Sequence, residues 1–243
     1  AKEIARMKKT DTVIVWGDSL AKGVVWNPQR GRHAYCACPA IKVAEEKLGM
    51  TIVNRAHFGF SVEQGFARME QDLVDGLSSD AAVIEFGGND CNFDWEAISI
   101  DPDAPHEPVT PPAQFVETLR RMVQKLIDHG IRPVLMTLPP IDAEKYFHFF
   151  VGKKLNGANI LKWLGDAHQI YRFHEMYSLL IERVAREFQV NVLDLRTRCL
   201  ARKGYLRDML CEDGLHLSDE GQRFVGEQLA EIAIQNRAIR WAQ

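Results

Sequence analysis

The sequence predicts an α/β fold in which a five-stranded parallel sheet is covered by helices on both faces. Five short apolar runs alternate with five longer amphipathic stretches, a pattern typical of strand–helix–strand units. Strands that are apolar along almost their whole length are buried on both faces, as in parallel sheets. The 243 residues, 46% of them hydrophobic, predict a single domain over residues 1–243.

Local signals predict each element. Runs of β-branched residues predict strands, and apolar positions that repeat every three or four residues predict helices. Gly49, Gly76 and Gly130 end three of the helices, and Ser218 begins the last one, ahead of two acidic residues. The predicted strands are 12–16, 51–53, 81–86, 134–138 and 190–195, and the predicted helices are 41–48, 62–74, 113–129, 173–188 and 218 to beyond 234.

Two connections, residues 91–112 and 139–170, are longer than ordinary loops. Both follow predicted strands, at the edge where open α/β sheets bind ligands. We expect them to form walls or lids of a site near that edge. Packing or a subunit contact explains them equally well.

Composition argues against several classes of protein. The net charge is -3 and the basic residues form no stripe, so neither nucleic acid nor a membrane surface is an expected partner. No run of about 18 apolar residues predicts a membrane span. Residues 1–11 lack the apolar stretch of a signal peptide, although a peptide removed before residue 1 would leave no trace.

The cysteines favour a reducing compartment. Their number, five, is odd, which is not typical of a disulfide framework, and we therefore expect a cytoplasmic protein. Cys36 and Cys38 lack further ligands at metal-binding spacing. No metal or other cofactor is predicted.

Ser19 follows the first predicted strand, on a turn that Gly17 and Asp18 favour. This position exposes the serine hydroxyl at the carboxyl edge of the sheet. By itself, such a turn is more often structural than catalytic.

Asp213 and His216 lie three residues apart, just before the last predicted helix. Within one turn, the carboxylate can accept a hydrogen bond from one imidazole nitrogen and leave the other to take a proton from a hydroxyl. On its own, the pair could equally be a helix cap with a surface histidine.

Two further segments supply candidate donors for an oxyanion. The run Gly87-Gly88-Asn89-Asp90 follows the third predicted strand, so the Asn89 amide can lie at the sheet edge. Gly59 follows the second strand and can bring a backbone N–H to the same point.

Together, the four segments resemble the blocks of SGNH (GDSL) hydrolases, which begin with GDS, then a glycine, GxND and DxxH in this order. The resemblance extends from residue 12 to about residue 230. It implies a three-layer α/β/α sandwich with the flavodoxin-like strand order 2-1-3-4-5. It also implies that Ser19 is the nucleophile, that His216 is the general base and acid, oriented by Asp213, and that the oxyanion hole consists of Ser19, Gly59 and Asn89.

One residue departs from the family pattern. The strand before the serine ends in Trp16, where a smaller or Phe-like residue is common. We expect this difference to affect packing and not chemistry.

Rival catalytic motifs do not fit. Glu63 occupies the place where a G-x-S-x-G motif around Ser61 requires glycine, and the sequence contains no P-loop, G-x-G-x-x-G or HExxH motif. The prediction is therefore a cofactor-free serine esterase that forms an acyl-enzyme on Ser19.

Aromatic residues in the long connections favour a small soluble substrate, such as a short-chain acyl (acetyl) ester of a carbohydrate. The predicted substrate wall consists of Phe93, Trp95, Tyr146, Phe147 and Trp163. A lysophospholipase or thioesterase for longer chains, an acyltransferase, and a non-catalytic binding or assembly module are the alternatives. The sequence does not decide the oligomeric state, and a homo-oligomer is one of the alternatives.

Overall fold

A computed structural model describes residues 12–151 and 154–241, with side chains up to residue 236. Its strands are β1 (Thr12–Gly17), β2 (Val24–Asn27), β3 (Arg32–Tyr35), β4 (Thr51–Asn54), β5 (Ala81–Glu85), β6 (Arg132–Met136) and β7 (Asn191–Leu193). Five of them form a parallel sheet in the order β4-β1-β5-β6-β7. These are the five predicted strands, and their order is the predicted 2-1-3-4-5.

Eleven helices lie within the described residues. They are α1 (Ser19–Lys22), α2 (Ala40–Leu48), α3 (Val62–Val74), α4 (Trp95–Ile100), α5 (Pro112–Asp128), α6 (Ala143–Val151), α7 (Gly157–Leu164), α8 (His168–Phe188), α9 (Leu195–Ala201), α10 (Tyr205–Asp208) and α11 (Asp219–Trp241). Helices α2, α3, α5, α8 and α11 correspond to the five predicted helices. Helix α8 begins five residues earlier than predicted, inside the second long connection.

The sheet separates two apolar cores. Side chains alternate across a strand, so Ile14 and Trp16 of β1 pack with helices α3, α5 and α8 on one face. Val15 packs with α2, α9 and α11 on the other face. The three-layer α/β/α architecture is confirmed, and it places the carboxyl ends of all five parallel strands at one edge.

A two-stranded antiparallel hairpin, β2–β3, was not predicted. It pairs Val24 with Tyr35 and Trp26 with His33. Its strands have four residues each and are mostly half-buried or exposed. Strands of only four residues, with the sequences VVWN and RHAY, are too short to show the apolar alternation on which strand prediction depends.

The two long connections fold together into a third apolar cluster. They contain helices α4, α6 and α7, and their side chains pack around Ile98, Phe150 and Ile160. The connections therefore carry secondary structure and a small core of their own. No helix in the described part of the chain is both long and apolar enough to cross a membrane.

Candidate active site

Ser19 begins helix α1 directly after the sheet. Asp18 caps this helix, since its Oδ1 accepts a hydrogen bond from the N–H of Leu20 at 3.0 Å. A side chain at Gly17 would place its Cβ 2.6 Å from Oε2 of Glu85. A larger residue at position 17 would therefore have to displace the Glu85 carboxyl group from its place beside the serine turn.

His216 and Asp213 meet Ser19 from the opposite end of the chain. His216 Nε2 lies 3.1 Å from Ser19 Oγ, and His216 Nδ1 lies 2.6 Å from Asp213 Oδ2. The other carboxylate oxygen, Oδ1, accepts from the N–H groups of Leu215 and His216 at 3.0 Å each. The structure thus brings together the three residues that the motifs pointed to.

The loop before α11 keeps Asp213 ionised. Burial alone would raise the pKa of this carboxyl, which is only 1% exposed. Hydrogen bonds and charge from His216, with the backbone N–H groups, outweigh burial and lower the pKa to about 2. An ionised carboxylate only accepts, so Nδ1 of His216 carries the proton and Nε2 is available to accept from Ser19.

The candidate oxyanion donors line one cavity with Ser19. Gly59, with φ +79°, and Asn89 both border this cavity of about 210 Å³. The Asn89 amide is already oriented, because its Nδ2 donates to the carbonyl of Phe60 at 3.0 Å and to Asp18 Oδ2 at 3.2 Å. An oxyanion at this position would share or replace the second of these contacts.

Two buried carboxyl groups, those of Asp18 and Glu85, hold the serine turn. Glu85 Oε2 accepts from the N–H groups of Asp18 and Ala21 at 3.1 and 3.4 Å. Burial raises the pKa of Asp18 to about 6, and burial together with the nearby Asp18 raises that of Glu85 well above its usual range. The sequence analysis missed Glu85, although a glutamate at the end of an otherwise apolar strand was a usable signal.

Asp90 connects the Asn89 turn to neighbouring elements. Its Oδ1 accepts from the N–H of Val62 at 2.9 Å and from the hydroxyl of Thr110 at 2.6 Å. Its pKa is raised to about 6, chiefly by burial. The last residue of the GGND run therefore holds the turn in place and does not face the cavity.

The apolar part of the wall near Ser19 is mainly aliphatic, where the sequence predicted aromatic residues. Leu138, Pro139, Ile141 and Leu215 line the cavity, with Phe58 at its rim. They come from the strand ends and from the loop that carries Asp213.

The five predicted wall residues have two different placements. Trp95 and Tyr146 line a neighbouring cavity of about 50 Å³ that also borders Asn89. Phe93, Phe147 and Trp163 line neither cavity and pack within the third apolar cluster, where Phe93 meets Trp163 edge-on at 4.8 Å. Their size and apolar character suit a core as well as a wall, which is why the sequence did not separate the two.

His174 is a further residue that the sequence analysis missed. It borders both cavities, is 5% exposed, and has its Nδ1 3.5 Å from Nη1 of Arg196. Burial first, and then the Arg196 charge, lower the pKa of His174 to about 3. The imidazole is therefore neutral, and no motif in the sequence indicated its position.

His33 of the hairpin is a second histidine at the triad carboxylate. Its Nε2 lies 3.3 Å from Asp213 Oδ2, and its ring meets that of His216 edge-on with centroids 4.7 Å apart. Among the described residues, His33, Asp213 and His216 are also the only group of three or more whose potential metal-binding atoms all lie within 4.8 Å of one another. Two tetrahedral zinc ligands are about 3.3 Å apart, so the 2.6 Å contact between Asp213 and His216 fits a hydrogen bond better than a shared metal.

Comparison with known proteins places this geometry in a family. The family model of the GDSL-like lipase/acylhydrolase family matches residues 15–224. The chain is 24% identical over 225 residues to the isoamyl acetate-hydrolyzing esterase of Saccharomyces cerevisiae, covering 90% of this chain and 84% of the yeast protein. It is also 24% identical over 236 residues to the uncharacterized lipoprotein YqeF of Bacillus subtilis, covering 93% of this chain and 91% of that protein.

A solved structure shares the fold. A catalytic mutant of an acetylxylan esterase from Geobacillus stearothermophilus superimposes with a TM-score of 0.63 at 16% identity, over 91% of this chain and 93% of that one. At this identity, the likeness concerns the fold alone. Because the family model covers most of the sequence, the chain belongs to the GDSL-like lipase/acylhydrolase family and is a carboxylic ester hydrolase.

Proposed function

We propose that this protein is a serine esterase that hydrolyses short-chain acyl esters, acetyl esters first, of a small soluble alcohol or carbohydrate. The observation that carries the proposal is the continuous chain of contacts from Asp213 through His216 to the Ser19 hydroxyl, at 2.6 and 3.1 Å. A serine, a base and an ionised orienting carboxylate in this arrangement are what nucleophilic acyl transfer requires.

The residues divide the reaction as follows. Ser19 Oγ attacks the ester carbonyl carbon while His216 Nε2 takes its proton, and the imidazolium then protonates the leaving alcohol. Water, deprotonated by His216, attacks the acyl-enzyme and releases the acid. The N–H groups of Ser19 and Gly59 and the Asn89 amide stabilise the oxyanion in both steps.

Cavity size supports a short acyl group. The cavities at Ser19 and beside Asn89 measure about 210 and 50 Å³, below the range of about 300–1,000 Å³ typical of sites for drug-sized ligands. The names of two similar proteins point the same way, since the yeast relative hydrolyses isoamyl acetate and the Geobacillus structure is an acetylxylan esterase.

The first experiment tests the nucleophile. In the Ser19→Ala variant we expect hydrolysis of p-nitrophenyl acetate and labelling by a fluorophosphonate probe to disappear, while the thermal unfolding curve stays in place. Wild-type rates and labelling in this variant would refute the assignment.

A second experiment tests the substrate class. With p-nitrophenyl esters from acetyl to decanoyl, kcat/KM should be highest at acetyl or propionyl. A maximum at long chains would favour the lysophospholipase or thioesterase alternative. Product analysis with added sugars as acceptors would reveal acyl transfer to an alcohol.

We also propose that the protein acts in a reducing compartment, without nucleic acid or a membrane surface as partner. All five cysteines are free thiols in the structure, which suits the cytoplasm. The Bacillus relative is named a lipoprotein, so the localisation of this chain needs a direct measurement. Cell fractionation with an antibody against this chain would test the proposal, and recovery in the membrane or extracellular fraction would contradict it.

A further inference from the structure

The β2–β3 hairpin brings a histidine to the catalytic carboxylate that none of the four family segments contains. His33 Nε2 is 3.3 Å from Asp213 Oδ2, the same oxygen that lies 2.6 Å from His216 Nδ1. The Asp213 carboxyl is ionised, so it offers only lone pairs to both rings. The contact is favourable only if Nε2 of His33 carries a hydrogen.

Several contacts hold His33 at this place. Its ring lies edge-on to Trp26, its cross-strand partner, at 5.1 Å and tilted against Phe58 at 5.3 Å. Trp26 in turn meets Phe149 edge-on at 4.9 Å, and the backbone N–H of Trp26 donates a hydrogen bond to Cys211 Sγ at 3.4 Å. The hairpin is thereby attached to the loop that carries Asp213.

We propose that His33 is a positioning residue for the triad: its Nε2–H donates a second side-chain hydrogen bond to Asp213 Oδ2 and fixes the carboxylate that orients His216. This inference rests on the proposed catalytic roles of Ser19, His216 and Asp213. With His33, each oxygen of Asp213 has two donors, namely two backbone N–H groups at Oδ1 and two imidazoles at Oδ2. The carboxylate then has little freedom to rotate.

The hydrogen bond from His33 also limits how strongly Asp213 stabilises the protonated imidazole of His216. A carboxylate that shares its charge with a second donor stabilises the imidazolium less. Removing the donor should therefore move the acidic limb of the pH–activity profile to higher pH. The titratable groups that face His33 include Asp213 and His216. A change in the pH–activity profile on substitution of His33 therefore reports on the triad itself.

Two substitutions at position 33 separate the hydrogen bond from packing. His33→Phe keeps a ring between Trp26 and Phe58 but has no donor, whereas His33→Gln has an amide N–H at a reach similar to that of Nε2. For His33→Phe we expect kcat to fall about 10-fold with KM within twofold, and the acidic limb of the kcat/KM profile to move up by about 0.5 pH unit. His33→Gln should recover most of the lost kcat.

His129→Phe is the matched control. It makes the same chemical change outside the site, because His129 is exposed at the end of α5. It should keep wild-type kinetics. Wild-type kcat and pH profile in His33→Phe, or equal losses in the Phe and Gln variants, would overturn the inference.

A measurement on the unmodified protein covers the case in which a variant does not fold. In the ¹⁵N spectrum, Nε2 of His33 should have the shift of a protonated ring nitrogen throughout the active pH range, and a bare Nε2 would contradict the inference.

The Ser19→Ala test separates the two proposals. If Ser19→Ala is inactive and His33→Phe is unaffected, only the role of His33 fails; if Ser19→Ala keeps its activity, the proposed function fails.

Discussion

The turn that carries Asp18 and the loop that carries Asp213 lie on either side of the Ser19 hydroxyl, and they treat a buried carboxyl group in opposite ways. Asp18 is 4% exposed and Asp213 is 1% exposed. The pKa of Asp18 is nevertheless raised to about 6, whereas that of Asp213 is lowered to about 2.

The difference comes from the neighbours. Asp213 faces the imidazole of His216, which can become a cation, and two backbone donors. Asp18 has one backbone donor and the Asn89 amide. The charge of Asp90 adds to burial in raising the pKa of Asp18, and the opposing contributions of the Leu20 N–H, His216 and a hydrogen bond with Glu85 do not offset them. Burial raises the pKa of both groups, so the number of donors and the sign of nearby charge decide the pH at which each carboxyl takes up a proton.

The largest expected effect is at Asp213, the carboxyl with the lowered pKa. Asp213→Asn should lower kcat about 1,000- to 10,000-fold, because an amide N–H facing His216 favours the wrong imidazole tautomer. Steady-state hydrolysis of p-nitrophenyl acetate measures this loss. Asp18→Asn is the matching variant in the serine turn, and it should lose far less activity. Equal losses of kcat in the two variants would show that the two carboxyl groups do not differ in their importance for catalysis.

The Asn89 amide, which contacts Asp18, provides the next test. Asn89→Ala should lower kcat about 100- to 1,000-fold, since one oxyanion donor is lost. The melting temperature should change little, and Asn159→Ala on α7 serves as the control. A loss confined to KM would show that Asn89 binds the ground state and does not act in the transition state.

Stability as a function of pH sharpens the comparison. The pKa of Asp18 rises from 3.8 to about 6 on folding, so the protonated side chain contributes stability below about pH 4 that is lost as the pH rises through 6. Relative to Asp18→Asn, the wild-type free energy of unfolding should therefore decrease by up to about 3 kcal/mol between pH 4 and pH 7.

Urea denaturation of both proteins at several pH values measures this difference. For Asp213 the sign is reversed, because its lowered pKa contributes stability above pH 3.8 that is lost as the pH falls through 2. A difference between wild type and Asp18→Asn that does not vary with pH would contradict the raised pKa.

Asp72, a buried carboxylate outside the site, gives the smallest expected effect. Asp72 is 3% exposed and contacts Arg55 at 2.6 Å, Arg68 at 3.1 Å and Trp16 Nε1 at 2.9 Å. Trp16→Phe removes one donor but leaves both guanidinium groups. We expect a loss of about 1–2 kcal/mol in stability, measured by urea denaturation, and unchanged kcat.

An unchanged stability in Trp16→Phe would mean that the two arginines alone satisfy Asp72. A large loss of kcat would mean that Trp16 affects the chemistry, contrary to the expectation from the sequence. Phe66→Leu, in the same core, is a control for lost aromatic volume without a lost hydrogen bond.

The sequence alone determined the sheet and the residues at its carboxyl edge. Five apolar runs that alternate with amphipathic stretches are local signals, and parallel strands bring their carboxyl ends to one place. The positions of Ser19, Asn89, Asp213 and His216 follow from that rule together with the family resemblance, although the residues are up to 197 positions apart.

Only the tertiary structure decided what surrounds these residues. The hairpin with His33, the pairing of Glu85 with Asp18 and the separation of wall from core among the aromatic residues all depend on contacts between distant segments. Residue type and spacing say that a side chain will be buried, but not against which partner. That choice depends on how the two long connections and the hairpin pack over the sheet edge, where burial, donors and charge act together.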